Sequence, residues 1–112
     1  DPGIGGVGQV TIELPDEGYQ LERMAFDAQG RLYVIADNEI DGMFSDRMWR
    51  FLSDGSVDQS WGTNGRVDLP GRTVSSNGRV LAVDDLGRVW VVRNTLLHVR
   101  EVLRFTATGD LD

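Results

Sequence analysis

The chain has 112 residues, 40% apolar and 26% charged, which fits one globular domain with a single core and excludes a disordered polar segment. Its net charge of -7, with no lysine to set beside its arginines, excludes the clustered basic surface that holds nucleic acid or an anionic membrane. Cysteine is absent, so there is neither a disulfide framework nor a thiolate metal centre, and no apolar run approaches the roughly 20 residues of a membrane helix.

The chain opens on a glycine-rich bend, Asp1 to Gly8, and an opening Asp in place of Met reads as an excised or processed chain. Gln9 to Leu14, QVTIEL, alternates like a half-buried strand, and Pro15 and Asp16 stop it. Leu21 to Asp27 is a second strand, with Glu22, Met24 and Phe26 on one face and Leu21, Arg23 and Ala25 on the other. Asp27-Ala28-Gln29-Gly30 has the chemistry of a tight hairpin, the Asp side chain capping the turn and Gly supplying positive φ. Arg31 to Ala36, RLYVIA, is the returning third strand, apolar on both faces and so expected between two layers. Asp37 to Arg47 reads as a polar loop, and Met48 to Leu52 as a fourth strand that ends at Ser53-Asp54-Gly55.

The same order then recurs. Asp1, Gly5, Gly8 and Val10 stand fifty-seven positions before Asp58, Gly62, Gly65 and Val67. At that offset MAFDAQGRLYVIAD from Met24 lies over LAVDDLGRVWVVRN from Leu81, identical at five of fourteen positions and similar at most others, which establishes an internal repeat. Beyond the loop the offset falls to fifty-four, so that Arg50, Phe51, Gly55 and Asp58 meet Arg104, Phe105, Gly109 and Asp112. The units are therefore 1–57 and 58–112. The second has strands at Arg66 to Leu69 and Val80 to Asp84 and a hairpin at Asp84 to Gly87. The expected class is all-β: two four-stranded antiparallel meanders, each the size of a propeller blade.

The stretch Asp54 to Val67, DGSVDQSWGTNGRV, followed by an apolar strand, Asp-x-x-Gly-Arg and a further apolar pair, resembles the bacterial delta-60 repeat. The likeness covers essentially the whole chain. It implies β-propeller blades, a secreted or cell-surface setting and an interaction role, and it brings no established catalytic residues. Trp61 stands where that family usually has Phe, with Ile4 in the first unit, and TLLHVREVL after Asn94 is more apolar than the family's glycine-rich loop.

Two blades do not close a propeller, whose rings typically hold 4 to 8. Two outer faces are left bare, each forgoing burial on the order of 10 kcal/mol. The partners expected are therefore neighbouring blades of a longer array or identical chains that meet head to tail in a closed six- or eight-bladed ring.

Candidate sites are few. Asp37, Glu39 and Asp41, followed by Gly42, resemble the first half of an oxygen-rich calcium loop, which Ser45 and Asp46 could extend; a solvated hairpin loop is the favoured reading, since Met48 occupies the twelfth position and the second unit has nothing comparable. Asp54, Ser56 and Asp58 have similar spacing, with turn capping as the alternative. No other cofactor is expected. His98, the only histidine, has no carboxylate placed to make it a general base. Trp49, Trp61 and Trp90 are expected to fill space between blades, and Arg31, Arg88, Arg50 and Arg104 to form structural ion pairs with repeat aspartates such as Asp27 and Asp84. The sequence therefore points to a non-catalytic propeller module for protein or glycan contact. A self-assembling propeller fragment and a lactonase-like metal-dependent enzyme are the alternatives.

Overall fold

The computed structural model describes residues 9–74, 79–96 and 99–112. Asp1, Ile4, Gly5 and Gly8 of the opening bend, and His98, lie outside the described residues. All regular structure within them is β: β1 (Gln20–Phe26), β2 (Leu32–Ile40), β3 (Met43–Phe51), β4 (Arg66–Asp68), β5 (Val80–Val83), β6 (Val89–Leu96) and β7 (Val99–Phe105). They form two antiparallel sheets, β1-β2-β3-β4 and β5-β6-β7, each in sequence order.

Three features depart from the sequence reading. The second sheet has three strands rather than four, because Arg66–Asp68 pairs with β3 as the outer strand of the first sheet. Gln9 to Leu14 is not in a sheet. It runs against the outer face of the first sheet, where Ile12 and Leu14 pack on Val34, Ala36, Trp49 and Phe51. Finally, Asp37 to Arg47 is strand-paired almost throughout, where a polar loop was expected: β2 runs on to Ile40, and the hairpin turns through Asp41 and Gly42, both at positive φ (54° and 80°). An Asp-Gly pair at two positive-φ positions is the turn whose twist matches the strands it joins.

The sheets pack face to face, with β1 beside β5. Alternation on β2 sends Tyr33, Ile35 and Asp37 toward the second sheet and Leu32, Val34 and Ala36 to the outer face. Tyr33, Ile35 and Met48 then meet Leu81, Val89, Val91 and Phe105 in one cluster, joined by Val67 and Leu69 of the β4 stretch and by Trp61. Trp61 is fully buried, its ring edge-on to Tyr33 at 5.5 Å between centroids. The segment from Asp54 to Val67 is thus a series of turns that carries an indole into the space between the sheets.

One set of hydrogen bonds is built twice. Asp27 Oδ1 accepts the N–H groups of Gln29 and Arg31, and its Oδ2 accepts from Arg31 Nε (2.7 Å) and the Tyr33 hydroxyl (3.0 Å). Asp84 Oδ1 accepts the N–H groups of Leu86 and Arg88, and its Oδ2 accepts from Arg88 Nε (2.7 Å) and Trp90 Nε1 (3.0 Å). Tyr and Trp differ in shape, yet each delivers a donor to the same oxygen. Downstream, Arg50 pairs with Asp58 at 2.8 Å and Arg104 with Asp112 at 2.6 Å. The N–H of Asp58 meets the Arg50 carbonyl as that of Asp112 meets the Arg104 carbonyl, both at 2.8 Å.

Candidate functional site

Among the described residues, a dense group of buried charged side chains lies between the two sheets beside Asp37 of β2. Two arginines from the second half, Arg79 before β5 and Arg93 on β6, enter a space lined by Asp37 and Asp46 of the first sheet, and all four are buried. Asp46 holds both: Oδ1 accepts from Arg79 Nε (2.9 Å) and Nη2 (2.6 Å), and Oδ2 accepts from Arg93 Nη1 (3.1 Å). Arg79 Nη2 also donates to Thr73 Oγ1 (3.0 Å). Arg93 reaches Glu101 Oε1 (2.8 Å) through Nε and the Pro70 carbonyl through Nη2. Cross-strand pairing explains the convergence, since Asp37 faces Asp46 and Arg93 faces Glu101 in register.

Asp37 is the poorly served member. Its Oδ2 lies 3.4 Å from Arg79 Nη1, an ion-pair distance without a hydrogen bond. A bulge in β1 between Leu21 and Arg23 brings the Glu22 carboxyl beside it. Burial first, and then the Glu22 charge, push Asp37 up to about 6 despite Arg79. The carboxyl is enclosed, 2% exposed, so its ionised form carries a desolvation cost that Arg79 offsets only in part.

The structure does not bring the calcium candidates together. Asp37 is buried on β2, Glu39 is exposed two residues on, and Asp41 sits in the hairpin turn. Along a strand, the first and last are separated by about 13 Å, beyond a shared coordination sphere. Among the described residues no group of three or more His, Cys, Asp or Glu side chains is placed to hold a metal. Asp54 and Asp58 are used as caps instead: Asp54 Oδ1 accepts from the N–H and hydroxyl of Ser56, and Asp58 Oδ1 from those of Ser60. Burial works against the Asp58 charge, but the Ser60 bonds and Arg50 outweigh it and hold the carboxyl below its usual range.

Trp61 fills space between the sheets as expected, whereas Trp49 packs on the outer face of the first sheet and Trp90 stands half-buried on the outer face of the second. Arg31 and Arg88 pair with Asp27 and Asp84, and Arg50 and Arg104 with Asp58 and Asp112. The Arg79–Arg93–Asp46 cluster is absent from the sequence reading. Its one visible signal was Arg93, a charge inside the apolar run VWVVRN. No protein-family model matches the chain, and no curated protein or solved structure matches it either.

Proposed function

We propose that the chain is a non-catalytic β-propeller module: two successive blades of a delta-60-type repeat, belonging to a secreted or cell-surface protein and serving contact with protein or glycan. The observation that carries this reading is the doubled hydrogen-bond set, placed in two meander sheets that stack face to face with β1 beside β5. Stacked meanders with adjacent first strands are how blades surround an axis. The use made of charge supports the non-catalytic part. Asp27, Asp58, Asp84 and Asp112 close turns and ion pairs, and Asp46 is saturated by two guanidiniums.

A tandem fusion of three or four copies tests the blade reading. A closed disc with a central channel in electron microscopy is expected; an open rod or independent beads would contradict it. Turnover of lactone or ester substrates above background, with or without added calcium, would overturn the non-catalytic assignment. Self-association of identical chains is a second reading, favoured by large apolar side chains exposed on both outer faces: Met24 and Phe26 on one, Val80 and Val102 on the other.

A further inference from the structure

The fourth strand missing from the second sheet has its counterpart elsewhere in the same chain. At the offset of fifty-seven, β4 (Arg66–Asp68) corresponds to Gln9–Thr11, the stretch that lies along the outer face of the first sheet without a sheet partner. Its position matches as well as its sequence. A Cβ added to Gly109 would meet Val67 Cγ2 at 3.0 Å, and one added to Gly55, fifty-four positions earlier, would meet Val10 Cγ1 at 2.7 Å. Val10 therefore sits against the first sheet as Val67 sits against the second. Residues 9–14 thus stand to the first sheet as the β4 stretch stands to the second, and among the described residues no strand pairs with the outer edge of β7.

The apolar surfaces correspond in the same way. Within the chain, Tyr33, Ile35 and Met48 of the first sheet press on Val67, Leu69, Leu81 and Val89. The matching residues of the second sheet are Trp90, Val92 and Val102, on its outer face. Those matching the receiving side are Val10, Ile12, Met24 and Leu32, which with Phe26 line an apolar groove of about 210 Å³ on the first sheet. Charge favours the match: the stretch from Glu13 to Glu17 is acidic with Asp16 between, while β7 carries Arg100 and Arg104 against Glu101.

We infer that a second copy of this chain completes the second sheet, its residues 9–12 adding to β7 as an antiparallel strand while its groove receives Trp90, Val92 and Val102. This rests on the blade reading above. The register follows from β3 and β4, where Arg47 pairs with Asp68, Met48 with Val67 and Trp49 with Arg66. Carried across, Glu101 pairs with Thr11 of the second copy, Val102 with Val10 and Leu103 with Gln9. The Ile12 N–H meets the Arg100 carbonyl as the Leu69 N–H meets that of Asp46. Side chains at the first of these pairs touch, since Arg47 and Asp68 are ion-paired.

The chain has no cysteine, so the register can be read by disulfide trapping without background. Thr11→Cys and Glu101→Cys chains are prepared separately, mixed and oxidised. A covalent dimer that forms only in the mixture, and far more slowly when Glu13→Cys replaces Thr11→Cys, is expected. Dimers formed equally by either variant alone, or equal yields from both registers, would overturn the inference. The unsubstituted chain gives an independent readout, in which the Arg104 and Ile12 amides gain protection from hydrogen exchange as concentration rises; no gain at the concentration where chains associate would also overturn it. Neither failure touches the tandem-fusion result, which judges the blade reading by itself.

Discussion

The corner at Asp27 and the corner at Asp84 are built from the same hydrogen bonds, yet they occupy different environments. Tyr33 is fully buried, with the guanidinium of Arg50 at 5.7 Å from its ring and Trp61 edge-on to it. Trp90 has the guanidinium of Arg104 at 5.3 Å from its ring but is only half-buried. The capping carboxylates differ likewise, 3% exposed for Asp27 and 26% for Asp84. Local chemistry is therefore written into each corner, and burial is conferred by whichever layer lies across it. The first corner has the second sheet; the second corner faces outward.

Removing the cover should make the first corner behave like the second. Trp61→Ala takes a fully buried indole from between the sheets, and a loss of about 3–5 kcal/mol in urea unfolding is expected, with Tyr33 fluorescence moving toward that of an exposed phenol. Trp90→Ala should cost clearly less. Asp46→Asn leaves Arg79 and Arg93 short of their shared partner and should cost about 3 kcal/mol, because a buried charge stripped of its partner keeps its desolvation cost.

Asp37 should show the opposite sign. Its pKa is raised in the fold, so its stabilising contribution is complete below the ordinary carboxylate pKa and is lost as pH rises through about 6. Asp37→Asn should thus be more stable than the parent at pH 7, by on the order of 2 kcal/mol, and nearly equal to it at pH 4. Urea midpoints at the two pH values measure this. Asp27 runs the other way. Burial raises its pKa, but the bonds from Arg31 and Tyr33 prevail and lower it, so its contribution is present above the ordinary carboxylate pKa and fades as pH falls toward its lowered value. The smallest expected difference compares caps: Asp27→Ala should cost about 2 kcal/mol, and Asp84→Ala should lower the melting temperature less.

The same contrast explains what could be read from the chain. The hairpin at Asp27 was legible because an Asp, a Gly and an Arg at fixed spacing specify it locally, and the same spacing from Asp84 to Arg88 specifies a second one. At Asp41-Gly42 a hairpin is legible from the turn pair, but the reach of its strands is not, because the polar residues Asn38, Glu39, Ser45 and Asp46 give no apolar alternation to mark them. The side on which β4 pairs was not legible. Alternation shows which residues share a face but not which neighbour a short strand joins. The Arg79–Asp46 pair joins residues thirty-three apart across two sheets, so only the packing brings them together. The turn of Glu22 toward Asp37 depends on a bulge set by the register with β2.

The proposed completion of the second sheet by another copy of the chain is tested most directly by light scattering on the unmodified chain across a concentration series. A particle of three or four chain masses is expected to replace the 12.4 kDa species as concentration rises, with quenching or shifting of Trp90 emission in step. A 12.4 kDa particle at every concentration, with Trp90 emission unchanged, would contradict it.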